Sequence, residues 1–147
     1  MIIEPWTINQ EDSDITQTDT VAATSGDLFV YRVPKGITIL LDPSNVLKLD
    51  LDEDDTTVCQ NTDEVKLEIR DSAGLGKRTI LGPVLYGSFA AVGVGELQDV
   101  DKLVHLDIAG PLRVEHQEYI ALMVKATGIC DKDTSIMSLV THRERSA

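Results

Sequence analysis

The chain has 147 residues and a formal net charge of −12, with 25 acidic and 13 basic side chains. This length is sufficient for one domain with a core of its own. The negative charge repels phosphate backbones and anionic lipid, so nucleic acid and membrane surfaces are excluded as expected partners and a basic partner is favoured. The alternative explanation is that the charge only maintains solubility.

Residues 1–27 predict an extended N-terminal arm ahead of a folded body at 28–147. The arm contains no lysine or arginine, and its polar runs have too little apolar periodicity to fold alone. Its tip carries an apolar group that could anchor in a neighbour's pocket, although Trp6 could instead fold back onto its own domain. The predicted partner-binding residues are Ile2, Ile3, Trp6, Glu11, Asp12 and Asp14.

We expect neither a targeting signal nor a disulfide framework in this chain. The N-terminus lacks the basic and apolar regions of a signal peptide, and no segment approaches a membrane span, so we expect the protein to be made in the cytoplasm. Cys59 and Cys130 stand far apart in loop-like surroundings and are predicted to be free thiols. A single long-range bridge between them is the alternative.

The body is predicted to be all-β, an antiparallel sandwich or barrel of jelly-roll or Greek-key type. Val65, Leu67 and Ile69 alternate with charged residues, which is typical of a strand with one wet face. Segment 119–124 is apolar on both faces and predicts a central strand. Turn signals separate about nine short strands, which are predicted at 28–33, 37–41, 46–51, 65–70, 79–85, 88–94, 103–108, 119–124 and 136–141.

The acidic stretch 50–55 is the one candidate for a metal site. Asp50, Asp52 and Asp54 have the spacing that opens a calcium loop. However, position six is Asp55 instead of glycine, and position twelve is Asn61 instead of glutamate. The sequence therefore favours a solvated acidic loop, with a hard-cation site as the weaker alternative.

No other motif indicates catalysis or a cofactor. Segment 74–79 superficially suggests a phosphate loop, but Asp71 stands where the first glycine belongs and Arg78 where a serine or threonine belongs. It predicts a hairpin turn. No nucleophile motif occurs, and three histidines lack the spacing of zinc ligands: His105, His116 and His142. We expect no enzymatic activity and no cofactor.

The overall plan combines an acidic β-domain, a polar arm ahead of Leu28, and a body ending in EYIALMVK at 118–125 and SIMSLV at 135–140. This plan resembles the head decoration, or cement, proteins of tailed bacteriophages. The resemblance implies a non-enzymatic homotrimer on the outer capsid surface of the virion, assembled in the host cytoplasm. It also implies that the arm clamps neighbouring copies of the major capsid protein and that binding stabilises the shell.

Two other classes of function are compatible with the sequence. A phage neck, tail or baseplate component would share the same features. A carbohydrate- or calcium-binding β-sandwich is the second alternative. Sugar binding is disfavoured because such sites usually stack sugars on exposed rings, and only 4% of the residues are aromatic, with one tryptophan.

Overall fold

The structure is a computed structural model that describes residues 1–13, 20–21, 26–50, 63–92, 101–125, 130–131 and 136–146. Within these ranges the chain is mostly β-strand, and two antiparallel sheets enclose one hydrophobic core. One sheet curls into a half-barrel. The predicted all-β class with a sandwich or barrel architecture is therefore confirmed.

The strands are numbered in chain order. They are β1 (Ile2–Asn9), β2 (Thr20–Val21), β3 (Gly26–Arg32), β4 (Ile37–Leu41), β5 (Val46–Asp50), β6 (Glu64–Arg70), β7 (Gly76–Leu85), β8 (Ala90–Val92), β9 (Asp101–His105), β10 (Leu112–Val114), β11 (Tyr119–Lys125), β12 (Cys130–Asp131) and β13 (Ile136–Arg145). The larger sheet has the order β10-β4-β13-β5-β9-β8, with β1 also paired to β13. The smaller sheet has the order β3-β11-β6-β7, and β2 pairs with β12.

The ten-residue strand β13 organises the larger sheet. Its first half pairs with β5 and its second half with β4, so these two strands follow one another along the same edge of β13. Strand β1 pairs with residues 138–145 and must therefore lie along the opposite edge. Among the described strands, β1 is consequently the outermost of this part of the sheet.

The smaller sheet confirms the two clearest sequence patterns. Val65 and Leu67 are completely buried and Ile69 is 3% exposed, so the alternating face of β6 lines the core. Strand β11 lies between β3 and β6, as its two-faced apolar sequence predicts. The predicted hairpin also forms, with its turn at 71–75. The β6/β7 register shifts opposite Gly82, where any Cβ would collide with the Val65 carbonyl oxygen.

The N-terminal segment differs from the predicted arm, because Ile2–Asn9 is a strand of the larger sheet. Ile8 is fully buried in the core. After a 3-10 turn at Gln10–Asp12, the Ser13 hydroxyl accepts a hydrogen bond from the Val30 backbone N–H (3.1 Å) on β3. The segment thus contacts both sheets. Burial of alternate β1 side chains supplies the free energy that a solvated arm would lack.

Several other boundaries differ from the predictions. The sequence patterns missed β2, β10 and β12, which are only two or three residues long and carry too few residues for a visible alternation. Strand β7 begins at Gly76 instead of residue 79. The ends of two predicted strands, at 51 and at 93–94, lie outside the described residues.

Candidate functional site

The outer face of the larger sheet presents a row of side chains that crosses four strands. Pro5 lies opposite His142, His142 opposite Leu40, and Leu40 opposite Arg113. Residues directly opposite each other on paired strands project to the same face. Because the alternate residue Ile39 is fully buried in the core, this row faces away from it.

A second row runs beside the first one on the same face. Thr7 lies opposite Val140, Val140 opposite Val46, and Val46 opposite His105. Val140 is 46% exposed, which is high for a valine in the middle of a sheet. The outer face therefore carries aliphatic side chains at its centre.

A groove of about 510 Å³ opens on this face. Its apolar lining includes Ile3 from β1, Leu40 from β4, and Pro111 and Leu112 at the start of β10. Its polar lining is formed by Asp42, Arg113 and His142. Ile3 is 59% exposed, so the apolar part of the groove is open to solvent. Exposed apolar surface bounded by polar groups commonly marks an interaction site.

The rim of the groove contains an ion-pair network. Arg113 donates from Nη1 and Nη2 to the two carboxylate oxygens of Glu144 (3.1 and 3.2 Å), and its Nε donates to Glu115 (3.2 Å). These hydrogen bonds, first to Glu144 and then to Glu115, raise the pKa of Arg113. Thr38 donates to the second Glu115 oxygen at 3.3 Å. The network holds the Arg113 cation between the Glu115 and Glu144 carboxylates, so the net charge of the three side chains is negative.

Asp42 adds a third carboxylate at the groove. Its Oδ1 accepts hydrogen bonds from the Ser44 hydroxyl and from the Ser44 backbone N–H (2.7 Å), and its own N–H donates to Asn45 (2.7 Å). The Ser44 hydroxyl bond is the main cause that lowers the pKa of Asp42. The rim thus carries three carboxylates and one guanidinium.

Part of the outer face of the smaller sheet is covered by its own charged side chains. Arg70 donates to both Asp27 oxygens (2.9 and 2.6 Å) and from Nε to Glu68 (2.8 Å), while Lys66 lies 3.2 Å from Glu68. The side chains of Arg70 and Glu68 are only 13% and 11% exposed. Ala121 on the neighbouring strand is completely buried. This part of the face offers satisfied ion pairs, and the pocket beside it, about 190 Å³ in volume and lined by Lys66, Met123 and Lys125 among others, is smaller than the groove on the larger sheet.

The predicted anchor residues are divided between the two faces of β1. Ile3 lines the groove, whereas Trp6 projects the other way and packs against the core. The Arg143 guanidinium lies 3.8 Å from the centre of the Trp6 ring, and the Thr141 hydroxyl donates to the Trp6 carbonyl oxygen (2.9 Å). Trp6 therefore folds back on its own domain, which was the alternative to an anchor in a neighbour. Ile2 is half-buried on the Trp6 face.

Glu4 links β1 to β13 through ion pairs, and it lies on the same face of β1 as Trp6. Its Oε1 accepts hydrogen bonds from Arg145 Nε (2.8 Å) and Arg143 Nε (2.6 Å). These two bonds, the one from Arg145 first, lower the pKa of Glu4. The pairing of the two chain ends explains why β1 is ordered on the sheet despite its acidic residue.

The remaining predicted site residues do not meet in one place. Glu11 is exposed, and Asp12 accepts a hydrogen bond from the Asn9 N–H (2.8 Å), which caps the 3-10 turn. Asp50 ends β5, and three other predicted site residues lie outside the described residues: Asp14, Asp52 and Asp54. Cys59, one of the two predicted free thiols, also lies outside them. Within the described ranges, no cluster of three or more His, Cys, Asp or Glu residues could hold a metal ion. No helix in these ranges is long and apolar enough to cross a membrane.

The groove was not predicted, because its residues come from four strands that are distant in sequence. The only local signal is an aliphatic residue in an outward position of a strand, such as Leu40 between the buried Ile39 and Leu41. No protein-family model matches this chain, and no curated protein matches its sequence. The geometry of the groove is therefore the principal guide to function.

Proposed function

We propose that this chain is a non-enzymatic structural protein that binds another protein through the groove on the outer face of its larger sheet. The observation that supports this proposal is the open apolar lining of the groove, about 510 Å³ in volume, with a charged rim. Apolar side chains held on a rigid sheet lose little conformational entropy on binding, so burying them contributes directly to affinity.

The specific form that we propose is a decoration protein on the outer surface of a viral capsid. The partner would be the major capsid protein, and the decoration protein would act as a homotrimer. The compact acidic β-domain supports this proposal, because a net charge of −12 favours a partner surface that presents basic groups beside apolar ones. Binding would proceed through the groove instead of through an arm, since Ile2–Asn9 is part of the sheet.

The test is co-sedimentation of the full chain with heads of the virus that encodes it, after removal of the bound protein. We expect saturable binding that the groove variant Ile3→Asp weakens at least tenfold, because a charge would enter the apolar lining. The matched control is Leu85→Asp on β7, whose side chain has a similar exposure (52% against 59%) and lies away from the groove. Wild-type protein that stays in the supernatant, or equal loss of binding by both variants, would contradict the proposal.

A further inference from the structure

We infer that Arg143 and Arg145 form a binding site for a small oxyanion, a phosphate or carboxylate group, that bridges their two guanidinium groups. The two residues lie on the same face of β13, opposite Glu4 and Ile2 of β1. This is the face that carries Trp6, whereas the groove opens on the other face. The oxyanion site is therefore separate from the surface that the proposed function uses, and its ligand does not compete with the protein partner.

Two cations share a single carboxylate at this site. The Nε atoms of Arg145 and Arg143 both donate to Oε1 of Glu4, at 2.8 and 2.6 Å. The three side chains together therefore carry one positive charge, although the whole chain has a net charge of −12. Like charges this close repel each other, and one carboxylate offsets only part of that repulsion. A second anion between the guanidinium groups would complete the neutralisation.

Two other arginines in the described part of the chain have the opposite ratio of charges. Arg70 and Arg113 each donate to two carboxylates. Their positive charge is thus more than neutralised by neighbours of the same chain, which leaves no attraction for a further anion. The excess of cations over carboxylates at Arg143 and Arg145 is therefore not a general property of the arginine contacts in this protein.

The two guanidinium groups also keep unused hydrogen-bond donors. Each guanidinium has five N–H donors, and Glu4 accepts only from the Nε donor of each. Nη1 of Arg145 makes one further contact, of 3.5 Å, with the Ser146 carbonyl oxygen. The remaining Nη atoms of Arg143 and Arg145 donate to no residue that the structure describes. Carboxylate and phosphate oxygens accept paired N–H bonds from such guanidinium edges.

The guanidinium group of Arg143 is positioned before any ligand binds. Its carbon atom lies 3.8 Å from the centre of the Trp6 ring, while its Nε is held by Glu4. The side chains of Arg143 and Arg145 are 24% and 38% exposed, so a small ion can reach both. Side chains that are already fixed lose little conformational entropy when the ligand binds.

The test uses the only tryptophan of the chain as the reporter. The full chain is titrated with inorganic phosphate while sodium chloride keeps the ionic strength constant. Because Arg143 is stacked on the Trp6 ring, the fluorescence should change in a saturable manner, with half-saturation below about 10 mM. Acetate is the second probe, and the tighter of the two identifies the preferred group as phosphate or carboxylate. Calorimetry of the same titrations measures the affinity independently of the tryptophan.

Three variants separate the site from general charge effects. Arg145→Lys keeps the charge but loses the planar group of donors, so it should weaken phosphate binding by about tenfold or more. Glu4→Gln keeps the shape of the side chain and removes the competing negative charge, so it should tighten binding, which a merely destabilised fold would not do. Arg70→Lys is the matched control and should bind phosphate as wild type does, since that arginine already has two carboxylates. Circular dichroism verifies that each variant is folded.

Several results would overturn the inference. They are the absence of a saturable response to both phosphate and acetate, a response that sodium chloride alone reproduces, wild-type affinity in folded Arg145→Lys, and unchanged or weaker binding in folded Glu4→Gln. None of these results bears on the groove. Conversely, a protein that binds phosphate as described but fails to bind viral heads would contradict only the proposed function.

Discussion

Replacing Ile8 by alanine should destabilise the protein by about 3 kcal/mol, because β1 is a core strand. Ile8 is fully buried and packs in the core between the sheets. The substitution removes three carbon groups at about 0.8 kcal/mol each, and the cavity that remains adds to this cost. For a domain of this size, a loss of about 3 kcal/mol lowers the melting temperature by roughly 6 to 12 °C.

The matched control is Thr7→Ala, which changes the neighbouring exposed residue of the same strand. Thr7→Ala should lower the free energy of unfolding by less than about 1 kcal/mol, since only the strand preference of this one residue changes. Urea denaturation of both variants, followed by circular dichroism, measures the difference. If Ile8→Ala is no more destabilising than Thr7→Ala, then β1 does not dock on the sheet in solution, and residues 1–27 form the extended arm that the sequence predicts.

Three further substitutions test the contacts that hold the chain ends and the smaller sheet. Thr141→Val should lower the free energy of unfolding, measured by urea denaturation, by about 1 kcal/mol, because it removes the hydroxyl that donates to the Trp6 carbonyl oxygen. An unchanged denaturation midpoint would contradict this contact. Ser13→Ala should accelerate amide hydrogen exchange at Val30 several-fold, because the Val30 N–H loses its acceptor, whereas unchanged exchange would show that the contact is absent. Glu68→Gln should lower the free energy of unfolding at neutral pH, but the stability of the variant should depend less on acid than that of wild type.

The sequence predicted those strands whose pattern is local. In β6, the alternation of Val65, Leu67 and Ile69 with charged residues requires no knowledge of the partner strand. The two apolar faces of β11 indicate a central position in the same way. Periodicity of two identifies a strand and its buried face, and both are properties of a single segment.

The sequence failed where the outcome depends on a distant partner. Strand β1 does alternate, with Ile2, Trp6 and Ile8 on one side, but Glu4 interrupts the apolar face and Pro5 counts against a strand. Glu4 is stabilised by two arginines that lie about 140 positions away in the chain. Pro5 is tolerated because the outer side of an edge strand need not donate backbone hydrogen bonds to a neighbouring strand. The groove was missed for the same reason, since only the register of β13 with β4 and β1 brings its lining together.

We expect Glu68 to determine part of the acid limit of the fold. Burial alone would raise its pKa, and this is the largest single effect, but hydrogen bonds from Arg70 and Lys66 together outweigh it, so the pKa of Glu68 is lowered. The unfolded chain then binds more protons than the folded one as the pH falls below about 4.5. The stability from this ion pair is therefore complete above that pH and is lost as the pH falls through the lower, folded-state pKa.

In Glu68→Gln the side chain keeps its shape but no longer titrates. The free energy of unfolding of the variant should lie below that of wild type at pH 7, and the two should converge as the pH is lowered towards 3. Glu64→Gln is the control, because this residue of the same strand is 46% exposed and lies 3.7 Å from Lys125, an exposed pair that contributes little. A difference between wild type and Glu68→Gln that stays constant across this pH range would show that the ionised Glu68 carboxylate does not stabilise the smaller sheet.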